Sequence, residues 1–196
     1  VAPLLLRALL YVENRDLFQP SAYVNPAVDW SRLGAAVLAQ TQKAVGRDAA
    51  AAGGSTLATQ IEKYRHSEQG FTADVLDKLQ QMVSASVRAY QPARETMERR
   101  KQIALDYINT VPLAATPQAG EVHGMADGLH AWFGADPQRV NRLLQDINPN
   151  TAAHGTALRQ VMALIIAQRR PSYYLLQGRD ELEQLVDSHL RLLRQA

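Results

Sequence analysis

Apolar residues recur at helical spacing along most of this chain, and no segment shows the convincing alternation expected of a half-buried strand. Prolines and glycines separate the periodic segments and mark their ends. The pattern therefore predicts a mainly α protein that forms one elongated domain without internal repeats. The predicted helices cover residues 3–12 running into Glu13, 30–43, 56–66, 72–90, 93–109, 124–133, 137–144, 156–169 and 180–193.

The same periodicity predicts which side chains form the core. One apolar stripe runs along residues 72–90 and consists of Val75, Leu79, Met82, Val83 and Val87. Further inward-facing residues are Ile103, Tyr107 and Ile108, and the rings of Trp30, Trp132 and Phe133 are expected in the core rather than as a platform for a sugar. Residues 111–120 contain two prolines and are predicted to form a loop.

Composition narrows the class of protein. A chain of 196 residues can bury one good-sized core or form a domain with a small lobe. Hydrophobic residues at 46% and charged residues at 20% are typical of a soluble globular protein. A net charge of only +2 argues against nucleic-acid binding driven by bulk charge. The absence of cysteine excludes disulfides and thiolate metal sites, and the five histidines lack a metal-ligand spacing.

No apolar run approaches the ~20 residues that span a bilayer. The longest run, residues 4–12, is interrupted by Arg7 and is predicted to be a buried helix. The chain starts at Val1 without a methionine, and its first residues already resemble domain core. We therefore expect a fragment of a longer protein, with any membrane anchor outside this chain.

The stretch from Gly53 to Lys63 joins two glycines, two hydroxyl residues and the start of an amphipathic helix. Either Ser55 or Thr56 can cap that helix. Free backbone N–H groups at a helix start favour an anion, and Lys63 adds a positive charge. The stretch is compatible with a site for a phosphate-like group, although an ordinary Gly-Gly loop with a hydroxyl cap would have the same residues. It is not a P-loop, since no Gly-Lys-Ser/Thr follows.

Glu13 directly follows the apolar residues 9–12. A carboxylate at the mouth of an apolar helix is a plausible general base, because partial burial raises a carboxyl pKa toward working pH. The alternative is a glutamate at a helix end that faces solvent.

Five segments, taken in order along nearly the whole chain, resemble the motifs of the family 51 glycosyltransferases. These are the peptidoglycan transglycosylase domains of bifunctional penicillin-binding proteins and their monofunctional relatives. Residues 13–18 are similar to the first motif, Glu-Asp-x-x-Phe, with Glu13 at the glutamate and Asn14 at the aspartate. The second motif is matched by Ser55, Thr56, Gln60 and Lys63.

The third motif, Arg-Lys-x-x-Glu, corresponds to residues 77–81. Lys78 matches, but Asp77 stands at the arginine and Gln81 at the glutamate. Residues 103–109 resemble the fourth motif and residues 124–134 the fifth. Glu62 lowers the positive potential beside Lys63, and the lost arginine could be replaced by Arg65, Arg88 or Arg94.

The resemblance implies a mainly α fold with a lysozyme-like large lobe and a smaller membrane-proximal lobe, for which residues 30–54 are the candidate within one domain spanning 1–196. It implies inverting transfer of a glycan chain, carried on a lipid pyrophosphate, to the 4-hydroxyl of lipid II. Glu13 would be the catalytic base, and Gln81 would hold the second catalytic position. The implied substrate-binding residues are Asn14, Arg15, Ser55, Thr56, Gln60, Lys63 and Lys78.

The resemblance also implies a Mg²⁺ or Mn²⁺ cofactor that shares the pyrophosphate charge with the lysines. The implied partners are lipid II, the lipid-linked glycan chain, the membrane surface and other cell-wall synthesis proteins, but not nucleic acid. The implied location is the periplasm, or the extracytoplasmic face of the bacterial inner membrane.

Two alternatives stay open. The departures at Asn14, Asp77 and Gln81 favour a catalytically impaired module that binds a lipid-linked precursor or a partner protein, whereas the retained Glu13 and Lys63 oppose it. A lysozyme-like hydrolase would need a second carboxylate roughly 5–10 Å from Glu13. The sequence offers no obvious candidate for that carboxylate.

Overall fold

The structure, a computed structural model, describes residues 1–28, 55–66, 75–146 and 151–195. It is mainly helical, which confirms the predicted class and is consistent with a lysozyme-like fold. The described elements are α1 (Pro3–Glu13), α2 (Leu57–His66), α3 (Val75–Tyr90), α4 (Met97–Thr110), β1 (Pro112–Thr116), β2 (Gly120–His123), α5 (Gly124–Phe133), α6 (Pro137–Leu143), α7 (Ala152–Ala167), a π-helix (Tyr173–Gln177) and α8 (Arg179–Leu193). The helix predicted for 30–43 and the candidate small lobe at 30–54 lie outside the described residues.

The chain divides into two compact units. The first combines Val1–Arg15 with Ala104–Ala196, and the second is Asp16–Ile103. Within the described residues, no helix is both long enough and apolar enough to cross a bilayer.

Helix α7 is the centre of the first unit. Residues 161–167 are all buried, so this part of the helix is apolar on every side. Helices α1, α5, α6 and α8 and the π-helix all pack against it. Helix α7 begins at Ala152, four residues before the predicted start, because the Thr151 hydroxyl accepts a hydrogen bond from the His154 N–H at 3.2 Å and caps it.

A β-hairpin replaces the loop predicted for residues 111–120. Strands β1 and β2 pair antiparallel, with Leu113 opposite Val122, and both of these side chains are buried. Gly120 has φ +66°, a conformation that L side chains rarely adopt, and this permits the tight connection. The strands have only five and four residues, and the first begins with Pro112. An alternation of polar and apolar residues that is this short and contains a proline cannot be recognised as a strand from sequence.

The second unit contains α2 and α3, which pack against each other. The predicted apolar stripe of α3 is wrong at Val83 and Val87, whose exposure is 61% each. Ala85 and Ala89 are buried instead, on the other side of the helix. Small alanines allow a neighbouring backbone to approach closely, and periodicity alone does not distinguish an alanine face from a valine face.

Helix α4 begins at Met97, four residues after the predicted start. Its predicted core residues Ile103, Tyr107 and Ile108 are buried, as expected. Helix α5 ends at Gly134 as predicted, and Gly134 has a left-handed φ of +59°. The π-helix after Pro171 has no counterpart among the predicted elements.

Candidate active site

Glu13 lies at the last position of α1 and is only 5% exposed. Its Oε1 accepts a hydrogen bond from Gln168 Nε2 at 3.1 Å and one from Arg169 Nη2 at 3.4 Å. Gln168 is buried, whereas the Arg169 side chain is 50% exposed. Glu13 is therefore not a solvent-facing glutamate, which was the alternative interpretation of its position at a helix end. It is a buried carboxylate held by a neutral donor and a cationic donor.

Local structure explains how these three residues meet in the first unit. The apolar face of α1 packs on α7, and α1 ends where the Asn14 N–H donates to the Leu10 carbonyl at 3.0 Å. Helix α7 ends at Ala167, so that Gln168 and Arg169 follow its last turn. Packing of α1 on α7 thus brings the two C-terminal ends together.

Sequence reasoning did not single out Gln168 or Arg169. They lie 155 and 156 residues from Glu13 along the chain, and no local spacing connects them. One signal was present in the sequence: a glutamine and two arginines directly follow the seven apolar residues 161–167. A polar residue at the end of such a buried run needs a hydrogen-bond partner.

Two predicted substrate-binding residues follow Glu13. Asn14 is buried at 4% exposure, while Arg15 is exposed. Arg15 folds back along its own helix, because its Nε donates to the Tyr11 carbonyl at 3.1 Å and its guanidinium lies 4.2 Å from the Tyr11 ring centroid. A substrate contact by either residue stays a prediction.

In the second unit, Thr56 caps α2. Its hydroxyl oxygen accepts from the Thr59 N–H at 3.3 Å, and the Thr59 hydroxyl oxygen accepts from the Thr56 N–H at 2.9 Å. This reciprocal pair has the geometry of a capping box, with threonine in the place of the usual glutamate. The structure therefore selects Thr56 over Ser55 as the cap. The buried Thr56 hydroxyl therefore has a structural role. A contact between Thr56 and the substrate stays a prediction.

The other three residues matched to the second motif surround this cap and are less buried. Ser55 precedes it, and Gln60 and Lys63 lie on α2, one helical turn apart. All three are partly exposed. Gly53 and Gly54 lie outside the described residues. The described part of the stretch is thus a capped helix start with a half-buried lysine two turns in.

Glu62, beside Lys63, is 3% exposed and pairs with Arg88 of α3, whose Nε lies 3.2 Å from Glu62 Oε1. A buried carboxylate without such a cation would carry a large desolvation penalty. The pair bears on two expectations. Arg88 places a positive charge against Glu62, which was expected to weaken Lys63. Replacement of the arginine missing at Asp77 by Arg88 stays a prediction.

The third motif lies on α3, where Gln81 is half-buried. Asp77 and Lys78 lie in the first turn of that helix, and their side chains are outside the described part of the chain. Across residues 1–28, 55–66, 75–146 and 151–195, no three histidine, aspartate or glutamate side chains are grouped so as to hold a metal ion.

The first unit also has a cleft of about 130 Å³ between α5, α7 and α8. Trp132, Phe133 and Tyr174 form part of its wall, and the Arg179 guanidinium lies 6.0 Å from the Trp132 ring centroid. Trp132 and Phe133 are only partly buried. Both were expected in the core, and they are instead wall residues of an open cleft. Trp30 lies outside the described residues.

Comparison with known proteins confirms the family that the sequence resembles. The family model described as Transglycosylase matches residues 1–194. A search of curated proteins finds no significant match. Since the match covers almost the whole chain, this protein belongs to the transglycosylase family, and a peptidoglycan glycosyltransferase-like function follows from that membership in general terms.

Proposed function

We propose that this chain polymerises lipid II by inverting transfer of a lipid-pyrophosphate-linked glycan chain to the 4-hydroxyl of the acceptor. The observation that carries the proposal is Glu13. It is a buried carboxylate at a helix end, in the position of the family's catalytic base, and it is hydrogen-bonded by Gln168 and Arg169. A general base needs a fixed position within reach of the proton that it takes.

In the proposed reaction Glu13 takes the proton of the acceptor 4-hydroxyl. The hydroxyl oxygen forms a bond to the anomeric carbon of the donor, and the bond from that carbon to the pyrophosphate oxygen breaks on the opposite face. The lipid pyrophosphate leaves with the electron pair of the broken bond. Pyrophosphate is a good leaving group, so the main requirement is stabilisation of its developing negative charge.

The start of α2 supplies groups suited to that requirement. Lys63 on α2 contributes a positive charge, and the neighbouring Glu62 pairs with Arg88. We assign Lys63 and Lys78 to the pyrophosphate, and Ser55, Thr56 and Gln60 to the shape of its pocket. Asn14 and Arg15 are assigned to the substrate beside Glu13, and Gln81 to the second catalytic position.

The fit of a Mg²⁺ or Mn²⁺ ion is limited. Among the described residues, no three histidine, aspartate or glutamate side chains cluster as metal ligands. Gln81 offers a neutral amide at the position where the family has a carboxylate. A divalent cation would be bound mainly by the pyrophosphate oxygens of the donor, which is a common mode for Mg²⁺. No step of the proposed reaction depends on it.

A second function is favoured by the same departures. Asp77 and Gln81 each replace a charged group of the third motif, one with reversed sign and one with none. The fold could therefore bind a lipid-linked precursor, or another cell-wall synthesis protein, without turnover. Hydrolysis of finished glycan would need a second carboxylate roughly 5–10 Å from Glu13, and the sequence offers no obvious candidate for it. For both the polymerase and the binding module, we propose a location at the extracytoplasmic membrane surface.

Polymerisation of labelled lipid II in detergent tests the proposal, with and without Mg²⁺ or Mn²⁺. The wild type is expected to make polymer, and Glu13→Gln is expected to lose at least about a hundredfold in rate, as for removal of a general base. The control Glu98→Gln makes the same chemical change at an exposed residue paired only with Lys101 and should retain activity.

Polymer from Glu13→Gln at the wild-type rate would refute the role of Glu13. If the wild type makes no polymer but binds lipid II, the binding module is the better proposal. If it neither polymerises nor binds lipid II, both proposals for this substrate fail.

A further inference from the structure

Two hydrogen bonds reach the same oxygen of the Glu13 carboxylate. Gln168 Nε2 and Arg169 Nη2 both donate to Oε1, at 3.1 and 3.4 Å. The two donors are consecutive in sequence, and both come from the turn that follows α7. They approach from an element different from the one that carries Glu13.

That turn is itself fixed by backbone hydrogen bonds. The Gln168 N–H donates to the Leu164 carbonyl at 3.2 Å, and the Arg169 N–H donates to the Ile166 carbonyl at 3.3 Å. Both acceptors belong to the fully buried part of α7. The donors are therefore placed by the core of the first unit and need little reorganisation to contact Glu13.

The two donors differ in chemistry. Gln168 is buried and does not titrate, so its hydrogen bond restrains the orientation of the carboxylate at any pH. Arg169 is half-exposed, and its hydrogen bond is longer, but it always carries a positive charge. A hydrogen bond between a charged donor and a carboxylate is stronger than one between neutral groups.

We propose that Gln168 and Arg169 are positioning residues for Glu13, and that their two hydrogen bonds fix the orientation of its carboxylate. This inference rests on the proposed function, in which Glu13 is the base. Neither residue needs to touch the substrate in order to act. Loss of either should therefore lower kcat and leave KM nearly unchanged.

Four single variants test the proposal on lipid II: Gln168→Ala, Arg169→Ala, Arg169→Lys and the control Arg170→Ala. Arg170 is the matched control, since it is the adjacent arginine and its guanidinium lies 4.3 Å from the Tyr173 ring centroid. Circular dichroism and thermal denaturation establish that each variant folds.

Gln168→Ala and Arg169→Ala should each lower kcat about tenfold to a hundredfold, the range for loss of a hydrogen bond to a charged group. Arg169→Lys should recover part of the rate, because an ammonium can also donate to the Glu13 carboxylate, and Arg170→Ala should stay within about twofold of the wild type. Equal losses in Arg169→Ala and Arg170→Ala would overturn the proposal, as would a rise in KM at unchanged kcat.

A second measurement does not depend on turnover. Urea denaturation of Glu13→Ala, Gln168→Ala and the double variant forms a double-mutant cycle, because each single variant removes the hydrogen bond. If the two side chains are coupled, the double variant loses less stability than the sum of the two single losses. If the cycle shows coupling but the wild type makes no polymer, the contact is real and the proposed function fails. Additive losses would refute the positioning role, whatever the activity.

Discussion

Arg100 provides a sharp test of how the second unit is held together. Its side chain is fully buried, and its donors contact three backbone carbonyls between Leu17 and Ser21. Nη1 donates to the Leu17 and Gln19 carbonyls at 3.0 and 2.9 Å, and Nη2 donates to the Ser21 carbonyl at 2.5 Å. Desolvation lowers the pKa of Arg100 from its ordinary value. Arg100 remains charged at neutral pH all the same, because an arginine stays protonated in proteins.

The magnitude follows from what Arg100→Met would leave behind. The hydrogen bond to Leu17 is buried, and its unsatisfied carbonyl should cost about 1–3 kcal/mol. The other two hydrogen bonds are part-buried, so water can replace the donor and each loss should be nearer ~0.5–1 kcal/mol. Relief from burying the guanidinium offsets part of the sum. We expect a net destabilisation of about 2–4 kcal/mol.

Urea denaturation followed by circular dichroism measures this change. Arg100→Met should shift the midpoint to lower urea, and Arg100→Lys should recover only part of the loss, because an ammonium cannot reproduce the fork that reaches three carbonyls. The control is Lys101→Met, on the same helix, which removes only an exposed pair with Glu98 and should change stability by less than about 1 kcal/mol. A loss in Arg100→Met no larger than that of Lys101→Met would show that the reasoning is wrong.

Two further predictions concern the first unit. Gly124→Ala should destabilise the fold by about 2–4 kcal/mol, because φ is +76° and the new Cβ would lie 2.5 Å from the Asn109 carbonyl oxygen. Gly155→Ala, in α7 with open space around it, should instead stabilise by roughly 0.5–1 kcal/mol in the same thermal or urea assay, and equal effects would contradict the steric argument. Arg159 donates a 2.6 Å hydrogen bond to Asp187, which holds the pKa of that carboxyl below its ordinary 3.8. The pair should therefore stabilise the fold at pH values above the unfolded-state pKa of Asp187. This stabilisation should be lost as pH falls through the folded-state pKa. Asp187→Asn should accordingly be less stable than the wild type at pH 7 and equal to it near pH 2, and a difference that persists at low pH would rule out the ionic origin.

The local elements of this protein were predictable from sequence where a few residues decide them. Helical periodicity located α1 and α8, a left-handed glycine located the end of α5, and a hydroxyl residue before an amphipathic run located the cap of α2. Glu13 stood out for the same reason, since a carboxylate directly after an apolar helix is a local feature. Each of these depends on neighbours within one or two helical turns.

Other features could not be predicted because several arrangements share the same local pattern. Residues 72–90 carry both a valine face and an alanine face, and only tertiary packing decides that Ala85 and Ala89 are buried. The hairpin of β1 and β2 is too short for its alternation to stand out from a proline-containing loop. Here the local preference is weak, and tertiary contacts outweigh it.

The sequence by itself determined the helical class, the positions of most helices and the family, which the match to residues 1–194 bears out. Only the tertiary structure decided which charged and polar groups meet. Glu13 with Gln168 and Arg169, Glu62 with Arg88, and Arg100 with the carbonyls near Leu17 are partners far apart in the chain. The physical reason is that helix periods and caps are set within a few residues. A buried polar group, by contrast, takes its partner from whichever element packing brings to it.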